Sequence, residues 1–286
     1  SLVHILKPSF NLSRYTRIVL YIIIFAFIIH TLGLSIRWYI SGHAPWSNAY
    51  ESMVYIAWAT VLAGFVFMKN SPITLASTAI LSGVLLFVAH LNWLDPQITT
   101  LMPVLKSYWL MIHVAVITAS YGFLGLGALL AFITFILYIL INDNNVASIK
   151  RSIKELSKIN EMSLIVGLIM LTIGNFLGGV WANESWGRYW GWDPKETWAA
   201  VTILVYSVVL HLRFVPRLNS VFTYNVASLL AYSSVIMTYF GVNFYLSGLH
   251  SYAAGDPLPI PSWVVPSIGV IFAMIILASF KRHKIR

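Results

Sequence analysis

Trp109–Ile141 reads WLMIHVAVITASYGFLGLGALLAFITFILYILI, 33 residues without an acid, a lysine or an arginine. As a helix it would run about 50 Å at 1.5 Å per residue, against the roughly 30 Å of a bilayer's hydrocarbon core. A segment this apolar belongs in lipid. Tilt can absorb some of the surplus length; otherwise the outer end stands above the membrane and carries His113 with it.

Other apolar stretches near spanning length lie on either side, at 17–40, 52–68, 73–91, 161–182, 197–214, 222–249 and 263–280. The whole chain is 59% hydrophobic and only 9% charged, where soluble proteins give about a quarter of their residues to charge. The expected fold is therefore all-α, a polytopic membrane bundle of about eight transmembrane helices forming one domain over residues 1–286. The first helix is too long for a signal peptide's apolar region and lacks a small-residue cleavage pattern, so it reads as a retained span. The first residue is Ser1 and not methionine, as in the C-terminal part of a longer polypeptide or a shortened chain.

A formal charge of +9 invites a nucleic-acid reading, but the placement of the basic residues points to topology. With both termini cytoplasmic, the inner segments hold Lys7, Arg14, Arg17, Lys69, Lys150, Arg151, Lys154, Lys158, Arg213, Arg217, Lys281, Arg282, Lys284 and Arg286, and the outer ones only Arg37, Lys106, Arg188 and Lys195. The positive-inside rule predicts that bias, and the expected partner is the lipid bilayer, with no nucleic acid. There is no cysteine, which excludes disulfides, thiolate-bound clusters and a CxxCH haem-attachment motif within the chain. The basic stretch 143–160, DNNVASIKRSIKELSKIN, reads as a solvated or headgroup-facing cytoplasmic helix.

The unusual sequence lies outside. Five tryptophans fall between Trp181 and Trp198, four of them (Trp186, Trp190, Trp192 and Trp198) in WGRYWGWDPKETW. Interfacial aromatic belts place one or two such residues at a helix end, and this crowding exceeds that. Indoles offer wide apolar faces with one polar N–H each, suited to a large planar ligand with a polar edge, and porphyrin has that shape. Haem would also need cations for its propionates and axial ligands for its iron. Arg188, Lys195 and Arg37 are the outer cations available, either for propionates or as pairs for Asp193, Glu196 or Glu184. Asp193-Pro194 has the form of a helix start, with acids Asp193 and Glu196 near the positive helix end.

Histidines supply candidate ligands. His113 and His250 sit at the outer ends of their spans, at the depth of the tryptophan loop. His211 lies 13 residues beyond Trp198, about 20 Å deeper on the same helix, so it cannot reach the same iron. It either anchors the inner surface or marks a second haem position. His30, His43 and His90 read as structural or supporting, with His43 and Glu51 framing the packed turn SGHAPWSNAYES, while His4 and His283 lie near basic termini.

The string WGRYWGWDPKETW resembles the "WWD" signature of haem-handling proteins in c-type cytochrome biogenesis. SYWLMIHV, GLHSYA and RWYISGHAPWSNAYES, read from the same chain, look like the family's CcsA/ResC type, and the likeness covers about residues 30–255. The resemblance implies System II cytochrome c synthesis. Haem b (iron-protoporphyrin IX) would be substrate and bound ligand, held at an external site over about 181–198 that includes Trp181, Trp186, Arg188, Tyr189, Trp190, Trp192, Asp193, Lys195 and Trp198. His113 and His250 would be its axial and catalytic ligands. His211 would be the transmembrane haem ligand, opposed by a ligand from CcsB, a separate or fused partner whose portion is absent from these residues. Further partners implied are apocytochrome c with its CxxCH motif and a thiol-reducing pathway. The setting implied is a bacterial inner membrane or a thylakoid membrane, with the loop on the periplasmic or lumenal side. Two rivals stand beside this reading: a haem exporter or chaperone that does not catalyse attachment, and a b-type electron-transfer protein.

Overall fold

A computed structural model describes residues 13–67, 71–91, 94–98, 106–249 and 260–285. These residues are helical with no strand among them, and they hold eight helices long and apolar enough to cross a membrane. The helices are α1 (Ser13–Ser41), α2 (Ala49–Phe67), α3 (Pro72–His90), α4 (Tyr108–Leu140), α5 (Val146–Trp186), α6 (Pro194–His211), α7 (Val221–Ile236) and α8 (Val264–Lys281). The chain is an integral membrane protein. The span that begins with α7 continues through a π-helical turn, Met237–Gly241, to a last helical turn at Val242–Tyr245.

One sequence expectation needs correction. The basic stretch 143–160 is no separate surface helix, because from Val146 onward it forms the first turns of the 41-residue α5. No glycine or proline interrupts Asn160-Glu161-Met162, so nothing stops the helix there. Its apolar stripe does not face headgroups either, since Ile149, Ile153 and Leu156 are fully buried within the protein.

The described residues gather into two compact units, those within 13–126 with 163–191, and those within 127–162 with 192–285. In the first, the C-terminal half of α5 runs antiparallel against the N-terminal half of α4 along a seam of small residues. Ser163 Oγ donates to Phe123 O at 2.7 Å. Beyond it, a side chain added at Gly167, Gly174 or Gly178 would run into Leu124, Ile117 or His113 respectively. Small residues are what let two membrane helices come this close. An aromatic ladder ties α1 to α2: Trp38, Trp46, Tyr55, Trp58 and Phe27 follow one another with ring centroids 4.7 to 5.7 Å apart. Trp58 Nε1 also donates to Thr31 Oγ1 at 2.8 Å.

In the second unit a buried polar cluster joins α5 to α7. Asn160 donates to Asn225 at 3.3 Å, Asn225 to Ser157 at 2.8 Å, and Ser228 to Asn160 at 3.0 Å. At the foot of α4, Lys281 Nζ donates to the carbonyls of Ile139 and Ile141 at 2.7 and 3.3 Å. A cation there complements the negative end of the helix. Lys284 pairs with Asp143 at 2.7 Å in the adjoining turn, and its ammonium holds that exposed carboxyl below the usual carboxylate range.

Candidate functional site

The α4–α5 seam decides where His113 sits. Its ring occupies the space that a side chain at Gly178 would need, and its Nδ1 lies 2.7 Å from Gly174 O. A carbonyl can only accept, so Nδ1 carries the proton and Nε2 is left as the ring's basic nitrogen. Metal-binding histidines are commonly fixed this way, by a carbonyl on the nitrogen opposite the metal. The same ring stacks on Trp181, with centroids 6.3 Å apart and planes 14° from parallel.

Trp181 meets Trp186 edge to face at 4.7 Å, and the Arg188 guanidinium lies over the Trp186 ring at 5.7 Å. Histidine, two indoles and an arginine thus form a continuous series in one unit. The indoles do not make a single flat wall, since Trp181 is only 2% exposed and serves as backing for His113. Trp186 and Trp190 are half-buried, and Tyr189 is exposed. The Arg188 guanidinium lies directly against Gly191, in the space a side chain there would take. Glu184 does not pair with any of the three outer cations considered; it accepts from Ser107 Oγ at 2.8 Å and ties the end of α5 to the start of α4.

The loop begins and ends on helix signals. Gly187, at φ +70°, closes α5 with its N–H on Asn183 O, the left-handed stop that glycine allows. Trp192 has φ +58°, the one positive value among the described non-glycine residues, and its side chain is 76% exposed.

Asp193 starts α6 in the second unit, as its sequence implies. Its Oδ1 accepts from Lys195 N at 2.9 Å, and its own N–H donates to Glu196 Oε2 at 3.2 Å, a reciprocal cap with Pro194 in the first turn. Its Oδ2 accepts from Leu249 N at 2.7 Å, so the same carboxylate also fixes the chain just before residue 250.

Lys195 has partners that sequence reasoning missed. Its ammonium turns inward and donates to Thr238 O at 2.9 Å and Asn243 Oδ1 at 2.8 Å. Thr238 lies in the π-helical turn, where the register of backbone bonds shifts and a carbonyl becomes available. A lone asparagine late in an apolar span was the available signal. Trp198, half-buried on α6, contributes its carbonyl to Thr238 Oγ1 at 3.2 Å.

Arg37 is likewise engaged. Its Nε donates to Glu51 at 2.8 Å, and Glu51 is 1% exposed. His43 Nδ1 lies beside Ala44 O and Ser47 Oγ in its turn, and His90 is exposed in the last turn of α3. His211, at the end of α6, repeats the arrangement of His113: its Nδ1 lies 2.7 Å from Ser207 O and its ring is exposed. His250 and His4 lie outside the described residues. Among the described residues no group of three or more His, Asp or Glu could hold a bare metal ion. The donors present are single imidazoles, which suit an iron already held by four porphyrin nitrogens.

The model of the family described as "Cytochrome C assembly protein" matches residues 46–250. The chain is 55% identical over 233 residues to Protein NrfI of Wolinella succinogenes, covering 82% of this chain and 26% of NrfI. It is 34% identical over 251 residues to the cytochrome c biogenesis protein CcsA of Prochlorococcus marinus (strain MIT 9301), covering 78% of this chain and 80% of that protein. Against CcsA of Chlorella vulgaris it is 36% identical over 258 residues, covering 78% and 81%. The chain thus spans about a quarter of NrfI and four-fifths of the CcsA proteins, and it belongs to the cytochrome c assembly protein family as a CcsA-type member.

Proposed function

We propose that the chain is the haem-presenting part of a System II cytochrome c synthase. Haem b is its substrate, held at the outer face with His113 and His250 as axial ligands and Arg188 toward a propionate. Trp186, Trp190 and the rest of the WWD loop bound the porphyrin. The observation that carries this reading is His113: a fixed tautomer with Nε2 as its basic nitrogen, backed by Trp181 in the unit that also holds Trp186 and Arg188. Lys195 and Asp193, both candidate binding residues in the sequence, act on this reading by building the start of α6.

The reaction is addition of two cysteine thiols of an apocytochrome CxxCH segment across the two haem vinyl groups. In each, sulfur bonds the vinyl carbon next to the ring and the thiol proton ends on the terminal carbon. No electrons are exchanged, so the thiols must arrive reduced. The chain's contribution is position: the imidazoles hold the iron, the indoles limit the plane, and alignment raises the effective concentration of the peptide's thiols. The incoming CxxCH histidine then displaces one axial imidazole and lets product leave. CcsB is the proposed partner, both termini are cytoplasmic, and the loop faces the periplasm or lumen.

Absorption spectra of the purified protein test the ligands. His113→Ala and His250→Ala are each expected to abolish the six-coordinate haem signal, and a spectrum unchanged by His113→Ala refutes the assignment. A second reading, export of haem without attachment, draws on His211, whose exposed ring has the same carbonyl-fixed tautomer. Supplying haem and reduced CxxCH peptide to the purified protein with its partner separates the two, because only a synthase yields thioether-linked product.

A further inference from the structure

The span that begins with α7 loses its helix before residue 250. Its last helical turn ends at Tyr245, and Leu246 takes extended backbone, with φ −115° and ψ 137°. From there intrahelical bonds no longer set the course of the chain, so 246–249 must be held from outside. Packing contributes little at the last of them, because Leu249 is 58% exposed.

Two residues at the start of α6 supply the hold. Lys195 Nζ donates to Thr238 O at 2.9 Å and to Asn243 Oδ1 at 2.8 Å, on an asparagine only 3% exposed. Asp193 Oδ2 accepts from Leu249 N at 2.7 Å. The stretch from Asn243 to Leu249 is thereby gripped at both ends by side chains two residues apart in sequence. Gly248 fits the second grip closely, since a side chain there would run into Asp193 Oδ2 and the Pro194 ring. Asp193 itself is buried and uses both oxygens, with Oδ1 capping α6 through Lys195 N at 2.9 Å. A cap needs only one acceptor, and serine or asparagine provides it about as well as aspartate. What an ionised carboxylate adds is a second oxygen that accepts without presenting a donor. Capping leaves that oxygen unexplained, and Leu249 is what it holds.

We infer, on the reading that His250 is an axial ligand, that Asp193 is the residue that positions it. Residue 250 follows Leu249 by one peptide, about 3.8 Å from Cα to Cα. The carboxylate bond at Leu249 therefore sets the point from which that imidazole starts, and Asp193 acts through the backbone without needing to touch iron or porphyrin. Partners one step behind a metal ligand commonly change affinity by about 10- to 100-fold.

The test uses the full chain loaded with haem and two variants that break the contact from opposite sides. Asp193→Ser keeps a capping oxygen for α6 and lacks the one that reaches Leu249. Gly248→Ala leaves the carboxylate in place and pushes the chain off it. Each is expected to lose most of the six-coordinate absorption, to weaken haem binding by about tenfold or more, and to regain six-coordination when imidazole is added. In a His250→Ala background, Asp193→Ser should change the spectrum no further, whereas in a His113→Ala background it should remove the axial ligation that remains. A general weakening of the fold would act in both backgrounds and would not answer to imidazole. In the protein free of haem, hydrogen exchange at the Leu249 amide should be at least about tenfold faster in Asp193→Ser. If His250→Ala leaves six-coordinate haem intact, the ligand reading and the positioning role fall together. If His250→Ala abolishes it while Asp193→Ser and Gly248→Ala do not, or if Asp193→Ser acts equally in both backgrounds, only the positioning role falls.

Discussion

At the scale of single residues, two side chains that look alike as site candidates have different surroundings. His113 is held by backbone and by the absence of a side chain at Gly178. Gly178→Ala should therefore push the ring off Gly174 O and cost most of the six-coordinate haem absorption, while circular dichroism shows an unchanged helix content. Retained absorption would remove Gly178 from the account. Lys195 was a candidate for a propionate, yet its ammonium bonds Thr238 O and Asn243 Oδ1. Lys195→Met should lower stability by about 2 kcal/mol, since two oxygens lose their donor, and thermal unfolding in detergent measures it. The contrast explains what the sequence made legible. The chemistry of WGRYWGWDPKETW was readable as aromatic surface plus helix start, and Asp193 does start α6. The direction of the lysine was unreadable, because it depends on a π-helical turn more than forty residues away that no local pattern announces.

Among helices, stability rests on close approach in one unit and on polar contacts in the other. The α4–α5 seam has no side chains to lose at Gly167 and Gly174, so enlarging them is the informative change. Gly174→Leu should separate the helices where Ile117 packs, costing about 1–3 kcal/mol as overpacking does, and it should also disturb His113 through Gly174 O. The Asn160–Asn225 contact behaves in the opposite way. Asn225→Leu alone strands Asn160 and Ser157, for an expected loss of about 1–2 kcal/mol. Changing Asn160 to leucine as well should cost less than the two single changes added together, as a double-mutant cycle would show. Length and hydropathy revealed that these helices exist, within a few residues at their ends. They could not reveal that 143–160 and 161–182 lie on one rod, because basic residues mark the inner membrane face whether or not a helix stops there.

For the molecule as a whole, topology is the property that the charge bias predicts and that solution chemistry can check directly. The chain has no cysteine, so single introduced thiols report without background. A cysteine at Tyr189, 64% exposed in the tryptophan loop, should react with a membrane-impermeant maleimide from the outer side of intact cells. One at Asn144, exposed in the α4–α5 turn, should react only after the membrane is opened, and the reverse pattern would invert the proposed orientation. The eight spans and their charge bias were legible because lipid imposes a length and a sign on sequence. The pocket between α1 and α2 was not, since His30, Arg37 and Glu51 come together only when α1 packs on α2. On the proposed function, the carbonyl grip on His113 would also bear on turnover. A ring tethered at 2.7 Å through Nδ1 would have no idle orientation to drift into between substrates. Product release would then leave the imidazole aimed as before, and the next porphyrin would dock on a receptor that never lost its shape.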